Sequence, residues 1–113
     1  MLKADTPVRL RRPTDFEILS YFMSGEQDRG SNAAAALGKD PGYVNNRLPE
    51  LTDQGLLERV GEAERSGIYR ITPLGVAAYH LRDEYDRDDW EDLIQKREGD
   101  IIIKRPEIVD HHD

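Results

Sequence analysis

The chain contains no cysteine, which removes disulfide scaffolds, thiolate zinc sites and thiol nucleophiles together. Histidine is scarce, with three in 113 residues, so imidazole chemistry has few places to reside. Long apolar runs are missing as well. No window approaches the roughly 18 uncharged apolar residues of a membrane-crossing helix, and the opening "MLKADTPVRLRRP" lacks the apolar stretch of a secretory signal. The expectation is a cytoplasmic protein with no membrane partner. The glycines show no phosphate-loop spacing. Neighbouring carboxylates such as Asp88 and Asp89 do not face one another on a helix. His80 stands alone, and "DHHD" at the C-terminal end is at most a weak metal site on terminal residues. No catalytic residue, no cofactor and no resident metal is therefore expected.

Net positive charge is absent too. A formal charge of -7 and a pI near 4.9 count against a nucleic-acid partner, because phosphate affinity rests on clustered Lys and Arg. The distribution of charge along the chain weakens that objection. Residues 1–82 hold 11 basic and 11 acidic side chains, and residues 83–113 hold 5 and 12, which supplies the whole deficit. Residues 1–12 carry Lys3, Arg9, Arg11 and Arg12 against Asp5 alone. Such an arm either lies on a DNA backbone or in a minor groove, through Arg11 and Arg12, or is a solvated leader. At this length one core is expected, organised as a basic arm (1–12), one domain (13–82) and an acidic extension (83–113).

What is present is a succession of short periodic elements. In "PTDFEILSYFMSG", Thr14 and Glu17 have capping-box spacing, and Phe16, Leu19, Phe22 and Met23 form an apolar stripe that Gly25 ends. "SNAAAALG" predicts a short helix capped by Ser31 or Asn32, with alanines that let a neighbour approach closely. Only Lys39 separates Gly38 from Asp40, which is a good N-cap before Pro41. A linker that short makes a helix-turn-helix corner. In "DPGYVNNRLPEL", Val44, Leu48 and Leu51 share one face, while Tyr43, Asn45 and Asn46 point elsewhere. Pro49 should kink this helix. After Gly55 the period becomes alternating in "LLERV" and again in "IYRI", joined by "GEAERSG", which reads as a wing. Thr72 and Pro73 then open a helix with Leu74, Ala78, Leu81 and Tyr85 on one side. The fold expected is mainly α with a small β-hairpin: a winged helix-turn-helix, α-α-α-β-β-α, with a C-terminal helical extension.

The run from "DFEILSYF" through "DPGYVNNRLPELTDQGLLERVGEAERSGIYRITPLG" closely resembles the winged-helix regulators of haloarchaea similar to the repressor of the halophage phiH. The segments "NNRLPEL", "GLLERVG" and "SGIYRITPLG" carry the resemblance, which spans about residues 14–80. It implies a DNA-binding regulator of a salt-in archaeon, and it accounts for the acidic surface as solvation in concentrated salt. The extension 83–113 lies outside it.

The chemistry of the exposed helix face points the same way. An asparagine carboxamide donates to and accepts from adenine at once, and a tyrosine ring lies flat against a thymine methyl. The first turns of a recognition helix are where base readers sit. Tyr43, Asn45 and Asn46 are therefore the expected base contacts with double-stranded DNA. Ser31, Lys39, Arg47 and the wing-tip Arg65 join Arg11 and Arg12 as expected contacts to backbone or minor groove. At molar salt the Debye length is about 3 Å, so uncharged readers suit such a partner. One winged helix reads few base pairs, so a homodimer is expected. Its seam is placed at Leu81, Tyr85, Trp90 and Leu93, unless these pack on the chain's own core. "DDWEDLIQKREG" predicts a further helix, capped by Asp88, and the apolar "IIIK" should dock on the domain or on a partner subunit. The other function the pattern allows is a winged-helix module that binds proteins and no DNA. No small-molecule effector is implied.

Overall fold

Apolar residues three and four apart set the helices of this chain, and the structure shows which faces they bury. A computed structural model describes residues 7–61, 67–104 and 107–111. Among them the order is α1 (Thr14–Tyr21) with a 3-10 turn (Phe22–Ser24), β1 (Asp28–Arg29), α2 (Gly30–Leu37), α3 (Pro41–Asp53), β2 (Leu57–Arg59), β3 (Ile68–Ile71) and α4 (Pro73–His80). A second 3-10 turn (Arg82–Glu84), α5 (Trp90–Glu98), β4 (Ile101–Lys104) and β5 (Glu107–Asp110) follow. The expected α-α-α-β-β-α succession is present, with additions.

The helix starts divide into two kinds. Asp40 accepts from the Tyr43 amide at 3.0 Å with Pro41 in the first turn, and Thr72 does the same for Gly75 ahead of Pro73. Both follow the cap-and-proline pattern. The capping box at Thr14 does not form, because Pro13 occupies the cap position without a side-chain bond. Asp15 instead turns its carboxylate back to the Arg11 amide at 2.7 Å. Neither Ser31 nor Asn32 caps α2, which begins one residue earlier at Gly30. Asp88 likewise leaves the cap position of α5 to Asp89, which makes no side-chain cap bond.

Val44, Leu48 and Leu51 are fully buried, as are Leu19 and Phe22. Each such side chain contributes about 1.5–3 kcal/mol through burial, which is what seats α3 on α1 and α2. α3 runs unbroken over 13 residues with Pro49 inside it. The short strand β1 falls in a segment that reads as a polar turn. It pairs antiparallel with β3, so that the sheet has the order β1-β3-β2. Two residues are too few to show an alternating period, and only the partner strand reveals them. The wing tip at 62–66, with Arg65, lies outside the described residues.

α4 lies directly on the start of the wing. A Cβ at Gly75 would collide with the backbone oxygen of Leu56, so the helix approaches the strand only because that position has no side chain. The extension folds back as α5 and then as an antiparallel hairpin, with Ile101 opposite Asp110 and Ile103 opposite Ile108. Ile101 is buried, Ile103 and Ile108 pack on the core, and Ile102 faces outward. The apolar "IIIK" thus docks on its own domain. No helix among the described residues is long and apolar enough to cross a membrane.

Candidate nucleic-acid interface

The cap at Asp40 starts α3 so that its first turns project from the domain. Asn45 and Asn46 are exposed and Tyr43 is half-buried. Among the described residues no hydrogen bond occupies either carboxamide. Asn45 leans over α2, its Oδ1 lying against Gly30 where a Cβ would otherwise sit. Gly42 completes this uncharged surface. Further along α3 the exposed residues are Glu50 and Asp53, so only the N-terminal half of the helix offers neutral polar groups.

The side chains expected to meet phosphate occupy different situations. Ser31 is exposed in the first turn of α2, and Arg11 is exposed with no carboxylate partner among the described residues. Lys39 sits in the turn with its Nζ 2.8 Å from Glu17 Oε1, and Arg12 forks onto Asp86 at 3.0 and 3.3 Å while its guanidinium lies 5.0 Å from the Tyr85 ring centroid. The Arg12 pair is solvent-exposed on both sides. Exposed pairs contribute only about 0–1 kcal/mol, which leaves both side chains free to exchange partners. Arg9, exposed beside Arg11, was not singled out from the sequence, although alternation along the arm with the buried Leu10 marks it.

Arg47 is a correction. It was expected at phosphate, but the side chain is buried and forks onto the fully buried Asp15, with Nε to Oδ1 at 3.0 Å and NH2 to Oδ2 at 2.9 Å. Those hydrogen bonds raise its pKa further above the ordinary guanidinium value against the opposing effect of burial. No spacing rule links residues 32 apart, so this partner was invisible in the sequence. Gln54, just past the end of α3, is also buried. It accepts from the Arg9 amide at 2.7 Å and donates to the Arg9 carbonyl at 3.1 Å. The arm is therefore tied down from residue 8 onward: Glu91 takes the Val8 amide at 2.9 Å and the Tyr85 hydroxyl takes that of Leu10 at 2.8 Å.

The start of α2 has its own brace. Asp28 accepts from the Tyr21 hydroxyl and from Asn32 Nδ2, the latter at 2.7 Å. The hydrogen bond to Asp28, with burial and nearby carboxylates, pushes the Tyr21 phenol up to about 12. The same bond, then that from Asn32, holds Asp28 below its usual carboxylate range.

Of the four residues expected at a dimer seam, Trp90 is corrected to core. It is 2% exposed, donates from Nε1 to the Leu81 carbonyl at 2.8 Å, and meets Phe16 and Tyr85 edge-on. Tyr85 is half-buried and spends its hydroxyl on the arm. Leu81 and Leu93 remain half-buried and share the wall of one cleft with Glu84, Arg87 and Lys96. No group of three His, Asp or Glu suited to a metal occurs among the described residues.

No family model matches the chain. Among curated proteins, the β′ subunit of DNA-directed RNA polymerase from Clostridium botulinum (strain Alaska E43 / Type E3) is 27% identical over 110 residues. That match takes in 94% of this chain and only 9% of the subunit's length. Among solved structures, the oxidized form of MarR from E. coli superimposes with a TM-score of 0.53 at 21% identity, over 74% of this chain and 60% of that one. The likeness shows a mainly α fold with small β-sheets in a winged helix-turn-helix arrangement.

Proposed function

We propose that the protein is a sequence-specific, double-stranded DNA-binding transcriptional regulator whose domain 13–82 reads the major groove with α3. The observation that carries this reading is the pair of exposed, uncommitted carboxamides of Asn45 and Asn46 on the first turns of the second helix of a helix-turn-helix. That is where base readers enter the groove, and asparagine matches adenine with two hydrogen bonds. Tyr43 adds a ring beside them. Ser31, Lys39, Arg9, Arg11 and Arg12 supply backbone contacts, with Arg65 at the wing tip.

Lys39 and Arg12 already hold carboxylate partners and the chain is acidic overall, so the protein relies on short-ranged amide contacts. That suits a regulator working in concentrated salt, where each phosphate contact is penalised through a slope of about -0.9 in log K against log salt. A homodimer through Leu81 and Leu93 would place two reading helices on half-sites about 34–36 Å apart. Repression by occlusion is the simplest output, since nothing resembles an activation segment.

The test is selection from random duplexes in molar KCl, followed by fluorescence anisotropy on the enriched sequence. Asn46→Ala should lower affinity for that sequence about tenfold or more, at unchanged affinity for random DNA, since a good bidentate contact discriminates by about 1–3 kcal/mol. If the wild-type protein enriches no sequence, the reading is wrong, and a module that binds proteins takes its place.

A further inference from the structure

Two anchors hold α3, and both lead to one stretch of chain. In its middle, Arg47 forks onto Asp15; just after it, Gln54 exchanges two hydrogen bonds with the backbone of Arg9. Asp15 also accepts from the Arg11 amide, so the partners lie within residues 9–15. The apolar stripe alone cannot set the helix so narrowly, because leucine and valine contacts are non-directional. A planar guanidinium on a carboxylate is directional and bidentate. The central pair is also where burial makes geometry costly to violate: Asp15 is 0% and Arg47 8% exposed.

We infer that Asp15, Arg47 and Gln54 are positioning residues that fix the rotation of α3, so that Asn45 and Asn46 meet base edges in register. The inference rests on the DNA-reading function proposed above. Side-chain tips stand about 5–6 Å from a helix axis, so a rotation of about 10° displaces a carboxamide by about 1 Å. That is enough to take a hydrogen bond out of its 2.7–3.2 Å window. Arg47 then serves recognition without touching DNA.

The decisive variant is the double substitution Asp15→Leu with Arg47→Met. Replacing a buried ion pair by apolar residues of similar volume is often neutral for stability, and the Arg11 amide, which also loses its acceptor, belongs to an exposed residue within reach of water, so packing survives while direction is lost. The expected result is a melting temperature near wild type and unchanged affinity and salt slope for random DNA. Selectivity for the enriched sequence falls about tenfold, the scale of one lost bidentate contact. Amide exchange at Tyr43 to Asn46 should also quicken relative to α4. Should the double variant fail to fold, Arg47→Lys keeps the charge without the fork and reads the same quantities.

A lowered melting temperature with selectivity intact would make the pair merely structural and overturn the inference. A salt slope shallower by about 0.9 would overturn it differently, by making Arg47 a phosphate ligand. If wild-type protein selects no sequence, the function fails by itself. The exchange comparison then still decides the frame, and unchanged rates at Tyr43 to Asn46 would refute it.

Discussion

Single side chains of this protein gain their roles from one or two specific partners. Asn45 and Asn46 carry carboxamides with no internal bond among the described residues, and that freedom suits them to a base edge. Arg47, one residue on, is buried and forks onto Asp15. Tyr21 offers a separate readout of the α2 brace. Its phenol ionises at about 12 in the folded protein against 10 ordinarily, so the neutral form is the one that folding favours. The resulting stabilisation is complete below pH 10 and drains away as pH rises from 10 towards 12. Asp28 works in the opposite sense: its contribution is present above the ordinary carboxylate range and is lost as pH falls through the lowered value. In an ultraviolet titration the Tyr21 phenol should ionise near 12. Asp28→Asn should bring that step back towards 10, and a titration that does not change on this substitution would show that the brace does not hold the phenol.

At the scale of elements, the decisive contacts are those where two backbones come close. Gly75 lets α4 rest on the Leu56 carbonyl, and a side chain there would strike backbone as well as Ile71 Cγ1 at 2.8 Å. Backbone cannot swing aside as a flexible side chain does, so Gly75→Ala should destabilise despite alanine's better helix propensity of about 1 kcal/mol. The expected net loss is about 1–3 kcal/mol, the range of overpacking, measured by urea unfolding. Unchanged or increased stability would mean that the strand is free to retreat. The stripes of α1 and α3 and the caps at Asp40 and Thr72 were legible, because they depend on spacings of three and four within one helix. The strand β1 was not, since it exists only through its pairing with β3, about 40 residues on, and the caps expected at Thr14 and at Ser31 or Asn32 gave way to other local contacts, Asp15 with the Arg11 amide and Asn32 with Asp28.

At the scale of the whole molecule, the described part of the extension, residues 83–104 and 107–111, packs on the winged helix. Trp90, Ile94 and Ile101 enter the same core as the winged helix. Asp110 of β5 accepts from Arg97 at 2.9 Å and faces His80 Nδ1 at 3.1 Å. With Trp90 turned inward, the homodimer proposed above would have to form through Leu81 and Leu93, the half-buried leucines of one cleft. Leu93→Glu should then yield a monomer by light scattering and weaken binding to a two-half-site duplex at least tenfold, since the paired sites lose their effective concentration. Retention of the wild-type mass would place the seam elsewhere. From the sequence by itself came the helix-turn-helix with its two wing strands, the apolar faces, the segregation of acid into the tail and the outward position of Asn45 and Asn46 on α3. All of these are properties of local spacing and composition. The burial of Arg47 on Asp15, the tethering of the arm by Gln54 and Tyr85, the third strand and the inward turn of Trp90 were settled only by tertiary structure. Each joins residues remote along the chain, and the energy of such a contact depends on burial and direction that no local pattern encodes.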